Sequence, residues 1–154
     1  MQADPKGPIC GCGRRGCIEA LASRTAMTAE IWKKISDGEK SKITKLADKP
    51  GSLIGSSSFR KAWDDEDKVV VSVVRGATRA LGTTLGSVSN LIDADVIVLG
   101  GGVVEAFGEI YTKAMGEAFA AQSIANKDNL PKLAVATLGD DAVLMGAALL
   151  AEES

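Results

Sequence analysis

The strongest constraint on the fold is a long apolar stripe that is followed by a short strand signal and three glycines. Apolar residues recur at helical spacing from Val69 to Ile92, which predicts one α-helix of about six or seven turns. The next apolar run, residues 96–99, predicts a buried parallel strand. A glycine turn then leads into another helix. A strand, a glycine turn and a helix N-terminus in this order form a layout that can receive a phosphate or nucleotide, because bare backbone amides meet the positive end of the helix there.

Two glycines interrupt the long helical stripe. Gly82 and Gly86 lie four residues apart and therefore share one helix face. Each glycine costs about 1 kcal/mol relative to alanine inside a helix. We therefore expect another backbone to pack closely against this face.

The first half of the chain predicts shorter helices. Residues 17–36 have helical spacing with a break near Ser23, and residues 43–48 predict a short helix within a polar loop. A further short helix should begin with Ser57 or Ser58 as its N-cap. The acidic run at residues 64–67 predicts a solvated loop that ends in the N-cap of the long helix.

The end of the chain predicts a second strand and a last helix. Residues 132–138 alternate weakly between apolar and polar and indicate a strand. Asp140 or Asp141 is expected to cap a final helix that runs through Ala151. The apolar residues of that helix predict that it is largely buried.

All three cysteines of the chain, Cys10, Cys12 and Cys17, fall within eight residues. A disulfide is disfavoured, because the count is odd and the geometry of C-x-C is poor for a bond. A structural zinc site is favoured over free buried thiols, since thiolates bind zinc well and glycines let the loop close around an ion. Such a site needs four ligands, and these cysteines supply three.

Composition excludes several classes of function. The chain has no histidine, so neither a histidine base nor a histidine metal ligand can come from it. The net charge of −2 and the pI of about 5.2 do not indicate the excess of positive charge that is typical of nucleic-acid-binding proteins. No apolar run reaches the ~20 residues of a membrane span, and the start lacks the features of a signal peptide. We expect a cytoplasmic protein with no membrane partner.

The stretch "CGCGRRGCIE" resembles the signature C-x-C-G-x-x-G-C-x-E of the ROK family of sugar kinases and repressors. The resemblance implies that Cys10, Cys12 and Cys17 bind a structural zinc ion. It also implies a fourth ligand, a histidine that would fall before Met1. Glu19 matches the family glutamate that binds sugar hydroxyls. Without the resemblance, Glu19 is an ordinary first-turn glutamate that favours a helix N-terminus.

The resemblance extends to the glycines. Gly100, Gly101 and Gly102 match a family turn that forms part of the adenosine pocket, and the match of "GDDA" to the family's C-terminal segment implies that Gly139 lies close to the nucleotide. By itself this pattern fits neither common nucleotide-binding glycine motif, and a plain structural turn explains it as well. The resemblance implies ATP and magnesium as cofactors of the complete protein.

The family fold is actin-like, that is, ribonuclease H-like, with two α/β lobes. The resemblance implies that residues 1–154 are a partial C-terminal lobe, helix-rich with few parallel strands, with a zinc loop at residues 10–19. The N-terminal lobe, with its phosphate loop and catalytic aspartate, is expected to be absent. Two strands are too few for a stable sheet, so we expect exposed apolar surface or its burial against another chain.

Three functions follow as expectations. The first is part of a sugar kinase that transfers phosphate from ATP to glucose or a similar hexose; this chain alone would be inactive. The second is a sugar-responsive repressor, with nucleic acid as a partner only if a helix-turn-helix lies upstream. The third is a structural remnant that binds zinc and little else. The resemblance also implies a homo-oligomer that forms through this lobe.

Overall fold

The computed structural model describes residues 1–125 and 129–152, with the side chain of Asp140 excepted. In this part of the chain, short 3-10 helices cover Lys42–Lys45 and Gly139–Asp141. The other elements are α1 (Ile18–Ala22), α2 (Arg24–Ser36), α3 (Ser56–Asp64), α4 (Lys68–Ile92), β1 (Val96–Leu99), α5 (Gly102–Phe107), α6 (Glu109–Gln122), β2 (Lys132–Val135) and α7 (Ala142–Glu152).

Helix α4 is the central element, and α1, α2, α3 and α6 all pack against it. Its N-cap is Asp67, whose carboxylate accepts a hydrogen bond from the Val70 amide at 3.0 Å. This confirms the predicted cap at the end of the acidic run. Asp67 also accepts the Ser41 hydroxyl at 2.9 Å, so the buried carboxylate joins the preceding loop to α4.

Helices α4 and α6 approach each other at the two glycines. A Cβ atom on Gly82 would lie 2.4 Å from the Met115 carbonyl oxygen, and one on Gly86 would lie 2.8 Å from the Phe119 carbonyl oxygen. Real Cβ atoms do not come so close, so only glycine fits at either position. The predicted close packing of another backbone is confirmed, and the neighbouring backbone belongs to α6.

The two strands form a parallel pair in the register Val96↔Lys132 to Leu99↔Val135, with α5 and α6 as the crossover. The predicted parallel strand is confirmed, but its predicted burial is wrong. Val96 is 48% exposed and Val98 is 63% exposed, because only one face of the pair is covered by helices in the described part of the chain. The second strand also ends at Val135 and not at residue 138.

Helix α7 differs most from expectation. It was predicted to be largely buried, yet Val143 is 80% exposed and Leu144 is 72% exposed. The reason is that, among the described elements, α7 mainly contacts the 3-10 turn before it, so its apolar side chains stay largely exposed. The helix begins at Ala142, directly after that turn. The exposed faces of α7 and β1 agree with the expected exposed apolar surface.

The first helices agree more closely with the sequence. The break at Ser23 is confirmed, since the Ser23 hydroxyl accepts from the Ala26 amide at 3.1 Å and starts α2. The short helix expected over residues 43–48 is a 3-10 helix over Lys42–Lys45. The predicted serine caps of α3 are wrong. The N-cap is Gly55, while Ser58 lies inside the helix and donates to the Leu46 carbonyl at 3.0 Å.

The helix after the glycine turn is divided in two. Gly108 adopts φ of +57° between α5 and α6, a conformation that ends one helix and begins the next. Both helices contribute to the core through Val104, Phe107, Tyr111 and Met115. No helix in the described ranges is both long enough and apolar enough to cross a membrane.

Candidate functional site

The cysteine loop is held by the segment before it. Antiparallel bridges join Gln2 to Cys17 and Ile9 to Arg15. The Gly16 carbonyl accepts the Ala3 amide at 2.7 Å, and the Gly16 amide donates to the Pro8 carbonyl at 2.7 Å. The first residues of the chain therefore form one side of a compact loop.

Gly16 is the tightest point of this loop. Its φ is +61°, and a Cβ atom there would lie 1.4 Å from the Asp4 carbonyl oxygen. Both the backbone conformation and the lack of space require glycine. In contrast, a Cβ atom on Gly11 would have no neighbour within 4 Å.

The three thiols converge as a metal site requires. Their sulfur atoms lie within 4.8 Å of one another, and Cys12 Sγ is 3.6 Å from Cys17 Sγ. Three thiolates on a tetrahedral zinc ion, with Zn–S of about 2.3 Å, would have sulfur atoms about 3.8 Å apart. The cysteines are free thiols, with Cys17 buried, Cys10 half-buried and Cys12 exposed. The cluster therefore fits three ligands of a zinc site.

Arg14 controls the charge of this cluster. Hydrogen bonds from its backbone amide and its guanidinium, together with those from Cys17 and Cys10, lower the pKa of Cys12 from 9.0 to about 6. The hydrogen bond with Cys12 and the burial of the thiol raise the pKa of Cys17. At neutral pH, Cys12 is thus a thiolate that accepts from its neighbours. A thiolate is the form that binds a metal ion.

Glu19 lies two residues after Cys17, in the first turn of α1. The Ile18 amide donates to the Met1 carbonyl at 3.0 Å, so the start of α1 is fixed to the loop. The Glu19 side chain is exposed, and within the described part of the chain it has no hydrogen-bond or ion-pair partner. The cysteine loop thus positions a carboxylate that is free to accept hydrogen bonds.

Glu19 faces a groove of about 780 Å³ between α1, α2 and α4. Other polar side chains of the groove include Glu30 and Lys33 of α2 and Ser72 of α4. Sequence reasoning missed these three residues, because exposed polar residues on a helix give no signal that separates a groove from a solvated face.

The glycines lie at a different place, the carboxyl edge of the strand pair. Gly100, Gly101 and Gly102 follow β1, and Gly139 follows β2. The Ala136 amide donates to the Leu99 carbonyl at 2.7 Å, so the two strand ends stay side by side. Gly101 has φ of +99° and is the N-cap of α5. The structure therefore brings the ends of the two strands that precede these glycines to one edge.

Ser56 is a feature of this edge that the sequence did not reveal. Its hydroxyl oxygen lies 3.3 Å from the position a Cβ atom on Gly102 would take. The oxygen is buried and lacks a hydrogen-bond partner among the described residues. The start of α3 therefore packs directly on the glycine turn, a contact that joins residues far apart in sequence.

The predicted site residues thus form two groups. The three cysteines and Glu19 lie together around the start of α1. Gly100, Gly101 and Gly102 directly follow β1 at the carboxyl edge of the strand pair, and Gly139 lies four residues after the end of β2. Helix α4 connects them, since α1 packs against it and β1 follows it.

Comparison with known proteins agrees with the sequence signature. The family model "ROK family" matches residues 1–154. A glucokinase of Halalkalibacterium halodurans is 30% identical over 147 residues, which are 96% of this chain and 44% of that protein. An N-acetylmannosamine kinase of Escherichia coli K12 is 31% identical over 150 residues, 97% of this chain and 44% of that protein.

Solved structures also match. A ROK family glucokinase from Streptomyces griseus, in complex with glucose and AMPPNP, has a TM-score of 0.83 and 28% identity, and the match covers this whole chain and 50% of that one. A ROK family transcriptional regulator, a homolog of the E. coli MLC protein, has a TM-score of 0.81 and 28% identity. That match covers 99% of this chain and 37% of the regulator.

These matches confirm the predicted fold class, a helix-rich α/β part of an actin-like fold. The chain spans less than half the length of the curated relatives it matches. Both kinases and a transcriptional regulator occur among the matched proteins. The matches therefore establish the family but do not single out one activity. On the full-length family match and the cysteine signature together, this chain belongs to the ROK family.

Proposed function

We propose that this chain is the C-terminal lobe of a ROK sugar kinase whose complete form transfers phosphate from ATP to glucose or a similar hexose. The observation that carries the proposal is the free carboxylate of Glu19, which the cysteine loop at residues 10–19 holds at the edge of a groove. The glucokinase relatives and the glucose-bound Streptomyces griseus structure support a hexose as the substrate.

In this proposal Cys10, Cys12 and Cys17 hold a structural zinc ion, with a fourth ligand from outside this chain. When bound, the ion would supply cross-linking of the loop and no step of the reaction. The cysteine loop would then act by positioning a side chain, because it fixes the first turn of α1 and with it Glu19. An ionised carboxylate accepts hydrogen bonds from two adjacent hydroxyl groups, which suits a sugar ring.

The glycine edge is proposed as a wall of the ATP site. Gly100, Gly101, Gly102 and Gly139 leave the backbone bare where β1 and β2 end, so that an adenosine group can approach closely. The solved glucokinase relative was bound to AMPPNP, an ATP analogue, which supports this assignment. Magnesium would bind with the phosphates. Since ATP-dependent sugar phosphorylation takes place in the cytoplasm, we assign the protein to that compartment.

The resemblance implies that the catalytic base, an aspartate, belongs to the other lobe. This chain would contribute the sugar-binding glutamate and the nucleotide wall, and closure of the lobes would exclude water during phosphoryl transfer. We therefore expect the 154-residue chain alone to have no kinase activity.

The test is Glu19→Gln in the full-length protein that contains this sequence. The amide keeps the size of the side chain but loses the charge and half of the acceptors, so KM for glucose should rise by roughly tenfold or more. KM for ATP should change little. The matched control is Glu109→Gln, which alters an exposed first-turn glutamate on α6.

Two results would contradict the proposal. An unchanged KM for glucose would remove Glu19 from the sugar site. A full-length protein that phosphorylates no hexose would favour the second candidate, a sugar-responsive repressor. That candidate is supported by the regulator structure, whose TM-score of 0.81 is close to that of the glucokinase. Sugar-dependent binding of the full-length protein to DNA would then be measured.

A further inference from the structure

We propose that Arg60 is a positioning residue for the nucleotide site. It lies on α3 and would hold α5 in place, and with it the glycine turn at residues 100–102 from which α5 starts. The role of Arg60 rests on the proposed function, in which that turn is a wall of the ATP site. Arg60 itself belongs to none of the segments that the sequence pattern assigns to the nucleotide.

Helix α5 needs support from other elements. It has only six residues, too few for a helix that is stable in isolation. Gly101, with φ of +99°, precedes it, and Gly108, with φ of +57°, follows it. Since glycine is the most flexible residue, neither connection fixes the direction of α5. Contacts with other elements therefore decide where the glycine turn lies.

Arg60 contacts the end of α5. Its guanidinium Nη1 donates to the Ala106 carbonyl at 3.2 Å and to the Phe107 carbonyl at 3.5 Å. The last carbonyl groups of a helix have no partner within the helix and form its negative end, so a cation with N–H donors stabilises them in two ways. The contact joins residues 46 and 47 positions apart in the sequence. It therefore fixes α5 to α3 in a way that no local pattern reveals.

The guanidinium of Arg60 is itself held in one orientation. Its Nε donates to both carboxylate oxygens of Asp64, at 3.0 and 2.9 Å. The side chain of Arg60 is 36% exposed and that of Asp64 is 51% exposed, so the ion pair alone adds little stability. Its role is geometric, because the pair directs Nη1 towards α5. A lysine could not reach both partners in this way, since it has one nitrogen where arginine has a planar fork.

Arg60 is the middle one of three α3 residues that contact α5. Ser56, one turn earlier, has its hydroxyl oxygen 3.3 Å from the position of a Cβ atom on Gly102. Trp63, one turn later, packs edge to face on Phe107, with 5.7 Å between the ring centres. Their helical spacing places all three on one face of α3. This face contacts α5 at its first and at its last residue, and Arg60 supplies hydrogen bonds to the last turn.

The position of α5 matters for ATP because the glycine turn has no side chains. In the proposed site its backbone contacts the adenosine group directly, so any movement of α5 changes that contact. Without Arg60 the end of α5 would be freed, and part of the binding energy would be spent on ordering the turn. Glu19 belongs to α1, which packs on α2 and α4. Sugar binding should therefore not depend on Arg60.

The experiment measures ligand binding by the full-length protein that contains this sequence. Isothermal titration calorimetry gives Kd for AMPPNP and, separately, for glucose. Arg60→Met keeps the apolar stem and loses the guanidinium, so Kd for AMPPNP should rise roughly tenfold while Kd for glucose stays the same. Arg60→Lys keeps the charge but should lose most of the same affinity. The matched control is Arg79→Met, at an exposed arginine of α4, which should leave both Kd values unchanged.

Asp64 tests whether Arg60 acts through its orientation. Asp64→Asn weakens the hold on the guanidinium and should raise Kd for AMPPNP by a smaller factor. The double variant should bind AMPPNP no more weakly than Arg60→Met alone, because Asp64 acts through Arg60. In the 154-residue chain, hydrogen–deuterium exchange at residues 100–107 should become faster in Arg60→Met, whereas exchange in α4 should not change.

The possible results distinguish the role of Arg60 from the proposed function. A wild-type protein that binds no AMPPNP would overturn both. Wild-type binding with an unchanged Kd in Arg60→Met would overturn the positioning role alone and leave the ATP site in place. An equal loss of AMPPNP and glucose affinity would also overturn it, because a merely structural role weakens both sites. If Arg60→Met does not fold, Arg60→Lys provides the same comparison.

Discussion

Arg14 sets the protonation state of Cys12 before any metal binds. In the metal-free chain the pKa of Cys12 is about 6, so the thiol is protonated below that pH and a reactive thiolate above it. We predict that the rate of Cys12 alkylation, followed by mass spectrometry, rises with an inflection near pH 6. Arg14→Ala should move the inflection towards the usual value of 9.0, because both charge and side-chain hydrogen bond are lost.

The neighbouring arginine is the control. Arg15 directs its guanidinium to the Gly7 carbonyl at 3.5 Å, so Arg15→Ala should leave the Cys12 inflection near pH 6. Equal inflections for Arg14→Ala and the wild type would show that Arg14 does not stabilise the thiolate.

Gly16 provides a second prediction at the scale of a residue. Gly16→Ala would place a methyl group on the Asp4 carbonyl and force the loop open, so zinc affinity should fall by at least about tenfold. Gly11→Ala is the matched substitution, because its methyl group meets no atom within 4 Å. Competition with a chromogenic chelator measures both. Equal zinc affinity in the two variants would show that metal binding does not depend on the backbone geometry at Gly16.

The sequence predicted the cysteine cluster because the spacing of a short motif is local, while the sugar-binding role of Glu19 stays a prediction. It could not predict that Arg14 contacts Cys12 or that Ser56 packs on Gly102. The first depends on how the loop turns, and the second joins residues that meet only in the folded chain.

Helix α4 shows why an element can be predicted well. Its apolar period, its acidic cap and its two glycines all indicate the same helix, and each is confirmed. The helix after Gly102 shows the limit. Its apolar period continues through Gly108, so nothing in the pattern indicates the break. The positive φ of Gly108 appears only in the structure.

The contact between α4 and α6 can be tested by unfolding. Gly82→Ala would push a methyl group to 2.4 Å from the Met115 carbonyl oxygen, so the free energy of unfolding should fall by about 1–3 kcal/mol, as in other overpacked cores. In Gly76→Ala, on the same helix, the added methyl group meets no atom within 4 Å. This variant should raise the free energy of unfolding by about 0.4–1 kcal/mol. Urea denaturation measures both. A free energy of unfolding that does not fall in Gly82→Ala would contradict the close approach.

At the scale of the molecule, the exposed apolar faces of β1 and α7 overturn the predicted burial of these two elements, but they agree with the exposed apolar surface that was expected of a partial lobe. Whether an element is buried depends on which other part of the protein covers it. The apolar pattern of α7 indicates that the helix suits a covered position, but it does not indicate which part would cover it. Val143 and Leu144 are at least 72% exposed. The matched kinases are about twice as long as this chain. We therefore propose that, in a complete protein of that length, the other half covers the exposed faces of β1 and α7.

We predict that the isolated chain binds the dye ANS through this surface. Val143→Lys with Leu144→Lys should reduce ANS fluorescence, while the free energy of unfolding changes by less than about 0.5 kcal/mol because both side chains are already in water. The control is Ile31→Ala in the buried core, which should cost about 2–4 kcal/mol. Unchanged ANS fluorescence in the double lysine variant would show that the dye binds to another part of the chain.

The glycine contacts between α4 and α6 also restrict how the molecule can move. Packed helices can slide along each other by small steps during domain closure, and such shear needs side chains between them that can adjust. Gly82 and Gly86 have no side chain to rearrange, and sliding would bring the larger residues beside them onto the backbone of α6. The helix pair must therefore move as one rigid body. Any closure around a sugar or nucleotide has to come from hinges outside it.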